Sequence, residues 1–498
     1  MRLQDSYIFN SNSLKKILSA FMVCALIFAE IVFAQNITRQ KVASARDLLY
    51  KEYFKAPNQY DVYFLGTSHV MYGISPLEIW EEYGITSYNW GSPTCTIPQS
   101  YWKFKLLQKY HSPKLVVIDC FRAIWENKVA NEYRMHEAFD AFPLSVEKSK
   151  ATIDLMYREK SMDSDQEFRN EELINILIPF SAYHSRWDSL DEQDFNNEYI
   201  DTKGAEFEIN VAQTIEISHT SEKTRITDNM EGVKYLRRLI EDCKSDGIEI
   251  LLVYLPYPIE EIWKEEANMI YDIAREYNVN YLDFTQEDVV DYTIDYADST
   301  SHMNVVGQDK VSRALGKYIK ENYEIEDHSG DEAYRNWDDC YAEYRNYKDG
   351  FLLDQEVLSN YLMLLNDTNC DCVIEIKDSI ILKEERYRRL LEAICSKVDE
   401  STRYIVRVNG IMVAIDDLCA TDEFQINNMV FRTEFSDEGY SLLVDNKPLY
   451  YGADDRNTLA IQVNKSKEIF DQVAYRYLTD TDGNVASDRI ERILEVRQ

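Results

Sequence analysis

Residues 60–73 read YDVYFLGTSHVMYG, and the rest of the chain is organised around them. An apolar run at 62–65 ends at Gly66, as a strand does, and delivers Thr67-Ser68-His69 to the point where the chain turns toward a helix. In open α/β sheets, ligands bind at the carboxyl ends of the strands. A serine placed there has backbone N–H groups beside it and a hydroxyl free of helix packing, which suits an acyl-accepting nucleophile. The ordinary alternative for Ser68 is a turn or N-cap residue. About 230 residues downstream, Asp298-Ser299-Thr300-Ser301-His302 precedes another helix and supplies the base and carboxylate that such a serine requires. Ser68, His302 and Asp298 are the candidate catalytic residues.

Outward from this strand the sequence keeps an α/β rhythm. A helix over 76–83 is opened by Ser75-Pro76, and a short strand at 87–90 ends at Gly91 before a helix over 97–110. KLVVIDC (114–120) is the near-continuous apolar strand expected in a parallel sheet buried on both faces. A helix ending at Gly247, the strand IEILLVYLP, a helix over 261–276, a strand at 279–284 and a helix over 305–323 complete the pattern. The predicted fold class is α/β, a three-layer α/β/α sandwich of the flavodoxin-like kind with a second, smaller mixed α/β domain. A length of 498 residues itself exceeds what one core usually organises.

The amino-terminal segment reads as a membrane signal. Lys15 and Lys16 precede an apolar run at 17–34, which places the amino terminus in the cytoplasm and the remaining chain outside. Val32-Phe33-Ala34 before Gln35 keeps a cleaved signal peptide open as the competitor to a retained anchor. With 54 Lys and Arg against 88 Asp and Glu, the formal net charge of -34 excludes nucleic acid or an anionic membrane surface as a natural partner. No C-x-x-C pair occurs and the histidines lack ligand spacing, so neither a metal nor a cofactor is expected.

The expected divisions are 1–35 for the anchor or signal peptide, 36–323 for the catalytic domain, 324–350 for a charged linker with a docking helix, and 351–498 for an accessory domain. A polar insertion at 121–230 interrupts the catalytic domain on its functional edge, where lids and substrate platforms arise. Within it, His184, Arg186 and Trp187 stand together in HSRW. They are candidate substrate contacts, with a surface helix docked by its tryptophan as the plain alternative.

The first domain resembles the SGNH (GDSL-like) hydrolase and acyltransferase superfamily over about residues 58–320, in the membrane-tethered branch of the alginate O-acetylation and teichoic-acid D-alanylation proteins. Gly66-Thr67-Ser68-His69 stands where that family carries its nucleophile block, Asn89-Trp90-Gly91 matches the second block, and Asp298 with His302 matches the last. The resemblance implies an oxyanion hole built from the Ser68 and Gly91 amides and substrate contacts from His69 and Asn89. Two departures stand out. Asp298 lies four residues before His302 where the family's aspartate lies three before, which leaves Asp295 as an outside alternative. The third-block asparagine is replaced by Asp119-Cys120-Phe121-Arg122, so Arg122 is a substitute oxyanion donor, or the hole rests on the two amides. The HSRW segment also resembles one in related proteins of polysaccharide-forming bacteria. Residues 439–477 resemble, more faintly, the interleukin-like EMT-inducer (FAM3-like) domain, which implies glycan or partner binding.

Together these readings lead to an extracytoplasmic serine-dependent O-acyltransferase, most naturally an O-acetyltransferase, acting on a cell-envelope or extracellular polysaccharide. A membrane-embedded acyl-donating partner is the expected companion. The alternatives are a carbohydrate esterase of the same fold and a non-catalytic glycan-binding or assembly protein.

Overall fold

The computed structural model of the protein describes residues 11–38, 50, 53–55, 60–157, 169–195, 199–212, 230–257, 261–298, 301–416, 424–426, 429–436, 439–452, 457–478 and 487–493. Residues 40–58, whose sequence reads as a short amphipathic helix leading into the first strand, lie mostly outside them.

Five parallel strands form the first sheet: β1 (Val62–Leu65), β2 (Ser87–Asn89), β3 (Leu115–Asp119), β4 (Glu249–Tyr254) and β5 (Asn280–Asp283), in the order β2-β1-β3-β4-β5. Strands β1 and β3 are buried along their whole length because alternate residues enter two different cores. Tyr63, Leu65, Val116 and Ile118 pack with Phe104, Leu236 and Leu239 on one face. Val62, Phe64, Leu115 and Val117 pack with Val311, Leu315 and Ile319 on the other. Each such aliphatic side chain contributes about 1.5–3 kcal/mol on burial, so the strand sequence fixes both faces at once. This is an α/β/α arrangement, and its order reverses between β1 and β3, the switch point where sheets of this order open a crevice.

Helix boundaries follow local chemistry. Pro76–Tyr83 starts at the Ser75 cap with Pro in the first turn and stops at Gly84, whose φ of 63° is left-handed. Ile97–Leu107 opens with a Thr96/Gln99 capping box. Val305–Asn322 is capped by Asn304, whose side chain accepts from Val306 and Gly307.

The second domain is richer in strands than expected. A six-stranded antiparallel sheet is ordered β15-β14-β13-β6-β7-β8, from β6 (Asp371–Ile376), β7 (Tyr404–Val408), β8 (Ile411–Ile415), β13 (Leu459–Lys465), β14 (Glu468–Tyr475) and β15 (Glu491–Arg492). A four-stranded antiparallel sheet pairs β9 (Phe424–Ile426), β10 (Met429–Ser436), β11 (Gly439–Val444) and β12 (Lys447–Gly452). Val373, Val406 and Val413 of the larger sheet meet Phe431, Leu442 and Tyr450 of the smaller. The helices Leu358–Asp367 and Glu385–Ile394 cover the larger sheet's other face.

The charged segment before this domain contains Arg335–Asp354, a helix docked on the first domain. Its Trp337 packs against Trp80, with ring centroids 5.2 Å apart, and Lys348 is buried between Asp309, Asp367 and Glu78 at 2.8, 3.1 and 3.4 Å. At the other end of the chain, Ser11–Thr38 is one continuous helix, and its stretch Leu14–Gln35 is long and apolar enough to span a membrane.

Candidate active site

The chain leaves β1 at Gly66 with a φ of 151°, and a Cβ there would meet Val70 Cγ2 at 2.6 Å and Asp119 Cβ at 3.0 Å. Only glycine satisfies both conditions, so the turn is tight and the next helix, Ser68–Gly73, begins at once. Thr67 caps it by accepting the His69 N–H. Ser68 is thereby held half-buried at the first position of the helix, and its own N–H has no acceptor among the described residues.

The last loop meets this turn. Ser68 Oγ lies 2.9 Å from His302 Nε2, and His302 Nδ1 lies 2.6 Å from Asp298 Oδ2. Asp298 Oδ1 accepts the N–H groups of Ser301 and His302 at 2.7 and 3.2 Å. Both carboxylate oxygens are engaged at the four-residue Asp298-to-His302 spacing, Oδ2 with the imidazole and Oδ1 with the backbone that carries it. Asp295 stands apart: it is buried, ion-paired to Lys310 at 2.6 Å, and accepts the Asp291 N–H at 2.7 Å. The side chains of His302 and Asp298 remain 28% and 39% exposed, so the linked groups open to solvent.

Gly91 lies against the Ser68 turn, where a Cβ would approach Met71 N to 2.6 Å and Thr67 O to 2.9 Å. Its N–H, expected to face an oxyanion, is instead donated to Asn89 Oδ1 at 2.9 Å. Asn89, expected to contact substrate, is fully buried and donates to the Val70 and Ile74 carbonyls, both at 2.7 Å. The amide is a structural clip joining β2 to the nucleophile turn. One N–H has a single proton to give, so the Gly91 amide is committed unless Asn89 moves.

His69 is buried beside the triad, stacked on Phe121 at 4.0 Å and on Tyr257 at 5.1 Å, and its Nδ1 has no hydrogen-bond partner among the described residues. Burial, assisted by the neighbouring His302 and Arg122 side chains, holds its pKa well below the usual imidazole range. The ring is therefore neutral. Arg122 follows β3 in the same crevice, its guanidinium Cζ 5.0, 4.5 and 5.6 Å from the Phe121, Trp125 and Trp263 ring centroids.

The insertion residues go elsewhere. His184 Nδ1 contacts Ser181 O at 2.9 Å, while Arg186 pairs with Asp194 at 2.9 Å and donates to the Thr38 carbonyl at 3.3 Å. Trp187 is 63% exposed. The Arg186 bond to Thr38 ties the HSRW segment to the end of the amino-terminal helix, and the Asp194 carboxylate eight residues on holds the guanidinium, so no bond joins these three candidate substrate contacts to the triad among the described residues.

Several neighbours of the triad escaped the sequence reading. The Tyr72 ring lies 4.9 Å from His302 and its hydroxyl donates to Glu206 Oε2 at 3.2 Å. Tyr72 is four residues after Ser68, one helical turn on, and that spacing was the available signal. Residues 206 and 208 gave none. Glu208 accepts the Val305 N–H through its carbonyl at 2.8 Å, and burial raises its carboxyl's pKa against the opposing pull of His302.

No protein-family model matches the sequence, and no curated protein matches it. Among solved structures, the chain overlaps a candidate acylhydrolase from Bacteroides fragilis at 10% identity, over 55% of this chain and 94% of that one, with a TM-score of 0.28. A lipolytic-family G-D-S-L protein from Desulfitobacterium hafniense shares 14% identity over 52% and 99% of the two chains, with a TM-score of 0.27. For a GDSL-like lipase from Bacteroides thetaiotaomicron the values are 12%, 55%, 97% and 0.26. Overlap at this level is a remote likeness in fold and assigns no activity.

Proposed function

We propose that the protein is a membrane-anchored, extracytoplasmic serine acyltransferase that acylates hydroxyl groups of a cell-envelope or extracellular polysaccharide, with acetyl the simplest group. The observation that carries this reading is the unbroken Ser68–His302–Asp298 chain at the switch point of the parallel sheet, with contacts of 2.9 and 2.6 Å.

Ser68 Oγ attacks the acyl carbonyl while its proton passes to His302 Nε2; the new C–O bond forms as the carbonyl electron pair moves onto oxygen. Collapse of that intermediate expels the donor's leaving group, which takes the proton from Nε2 and leaves an acyl-Ser68. A sugar hydroxyl then repeats the sequence in reverse, giving its proton to His302 and receiving the acyl group, and Ser68 regains its hydrogen. Asp298 keeps its negative charge throughout, fixes the tautomer with the proton on Nδ1 and stabilises the imidazolium. The Ser68 amide, which has no acceptor among the described residues, is a backbone donor for the oxyanion, and the neutral His69 ring is a second polar group in the same crevice.

Exposure of His302 and Asp298 specifically favours a second outcome, hydrolysis of the acyl-serine by water, which uses the same residues. To separate the two, the protein is incubated with an acetyl donor and glycan fragments while released acetate and glycan mass are followed together. A gain of acetyl mass on the glycan that is lost in Ser68→Ala supports transfer. Acetate release alone, with deacetylation of a pre-acetylated polysaccharide, makes the protein an esterase. The span Leu14–Gln35, with Lys15 and Lys16 at its amino end, supports the outward orientation and the encounter with a membrane acyl-donating partner.

A further inference from the structure

The switch-point crevice has two walls. One is the Ser68 turn after β1, and the other is the turn after β3, made by Cys120-Phe121-Arg122-Ala123. The register Leu65↔Ile118 sets these turns side by side. In the second wall Arg122 has a φ of 65°, a left-handed conformation that residues with a Cβ rarely adopt. Its neighbours enforce it: Cys120 N–H donates to Val253 O at 2.9 Å, Ala123 N–H to Cys120 O at 3.1 Å, and Trp125 N–H to Arg122 O at 3.1 Å. Strain held in this way at the edge of a crevice is characteristic of side chains aimed for a purpose.

The side chain itself is unusual. In a chain where carboxylates outnumber cations 88 to 54, the Arg122 guanidinium forms no ion pair or hydrogen bond among the described residues. Its guanidinium rests only on aromatic faces, those of Phe121, Trp125 and Trp263. The near carboxyl, Glu266, is committed to Ile124 N–H and Tyr254 O–H, both at 3.4 Å. A planar fork of N–H donors pre-oriented by aromatic rings, with no internal acceptor, matches a carboxylate or phosphate. Phe121 carries the geometry back to the reaction centre, because its other contact is the His69 ring at 4.0 Å, and His69 follows Ser68 directly. In the facing wall, Nδ1 of His69 is a further buried polar atom without a partner among the described residues.

We infer that Arg122 is the centre of an anion subsite that selects substrates carrying a carboxylate or phosphate close to the reacting acyl group. This deepens the acyl-transfer reading and rests on it for the word substrate; the binding of the anion does not.

Two measurements on the full-length protein in detergent separate the claims. Trp125 and Trp263 touch the guanidinium, so tryptophan fluorescence is titrated with glucuronate, with inorganic phosphate and with methyl glucoside as the neutral control. A saturable response to glucuronate identifies a carboxylate site and a response to phosphate a phosphate site. Either response should persist in Ser68→Ala, weaken with added salt, and weaken at least tenfold in Arg122→Gln. Binding of methyl glucoside as strong as that of the anions, no saturable response, or Arg122→Gln binding within twofold of wild type overturns the inference. Salt dependence in the wild-type protein keeps the test valid if the variant folds poorly, since anion binding indifferent to salt also overturns it. In the second measurement, kcat/KM is compared for 4-nitrophenyl hydrogen succinate and its uncharged analogue 4-nitrophenyl butyrate. The expected ratio favours the succinate and falls at least tenfold in Arg122→Gln. Turnover of both esters with an unaltered ratio removes the subsite and leaves the acyl-transfer reading standing. Anion binding without turnover of any ester removes the acyl-transfer reading and leaves the subsite standing.

Discussion

The helix Val305–Asn322 touches two polar clusters that are opposites in design. Just before its amino end, His302 joins Ser68 to Asp298 in a half-exposed chain beside groups without partners among the described residues: the Ser68 amide, His69 Nδ1 and the Arg122 guanidinium. On its flank, Asp309 and Arg313 enter a cluster in which Arg313, Arg345 and Lys348 face Glu78, Asp309 and Asp367 at 2.8–4.0 Å. Three cations meet three carboxyl groups there, Lys348 is only 2% exposed, and burial with the neighbouring Glu78 raises the Asp309 carboxyl well above its usual range despite Lys348. Apart from Asp309 Oδ1, the ionic groups there find their partners in one another, and they join the docked helix Arg335–Asp354 and the second domain to the first. Groups left unsatisfied at a sheet edge are available to something that arrives from outside.

The largest expected effect of that difference separates two aspartates of one loop. Asp298→Asn should lower turnover of an activated acetyl ester by about 10⁴-fold with the fold intact, because tautomer and imidazolium stabilisation are lost together. Asp295→Asn should leave turnover within a few-fold and lower the unfolding midpoint instead, since it weakens the pairing with Lys310. Steady-state kinetics beside thermal unfolding would break the comparison if the ranking came out reversed.

The next effect tests the saturated cluster. Lys348→Met leaves Glu78, Asp309 and Asp367 buried without their central cation, which should cost about 3–5 kcal/mol of stability. Denaturant unfolding measures it, and a loss below about 1 kcal/mol would show that the cluster is not a lock.

A smaller effect concerns Asp119, wholly buried between the nucleophile turn and Leu255. Burial pushes its carboxyl up to about 7, opposed by hydrogen bonds from the Leu255 and Phe121 amides at 3.3 and 3.5 Å. The folded state therefore keeps a proton that the unfolded chain releases near its ordinary value. The associated stability is complete below that unfolded value and is lost as pH rises through about 7. Asp119→Asn should remove this dependence and stabilise the protein by on the order of 1–3 kcal/mol at pH 8 relative to pH 4. Parallel unfolding slopes for variant and wild type over that range would contradict it.

Much of the first domain could be read from the sequence because each signal there is local. The two-sided burial of VYFL and LVVID, the Ser75-Pro76 start and the Asn304 cap each act within a few residues. The second domain was less legible. The sequence marks Asn409-Gly410 only as the close of a strand beginning at Tyr404, yet with φ values of 49° and 74° it is a tight hairpin turn into β8, whereas Asp445-Asn446 reads as the turn it is, at 49° and 63° between β11 and β12. Around the site, residue types were visible but their commitments were not. No pattern in Asn89-Trp90-Gly91 shows that the glycine N–H is spent on the asparagine, and none in HSRW shows that Arg186 turns to Asp194. Such bonds depend on where separate elements meet, which spacing along the chain does not record.

The most direct test of the central claim is covalent. The full-length protein is treated with a fluorophosphonate probe and the adduct is mapped by peptide mass spectrometry, in wild type, Ser68→Ala and His302→Ala. The expected result is a single adduct on Ser68, absent from Ser68→Ala and strongly slowed in His302→Ala. An adduct that persists in Ser68→Ala, or a wild-type protein that stays unlabelled while an uncharged small-molecule phosphonate is shown to enter the crevice, would contradict it.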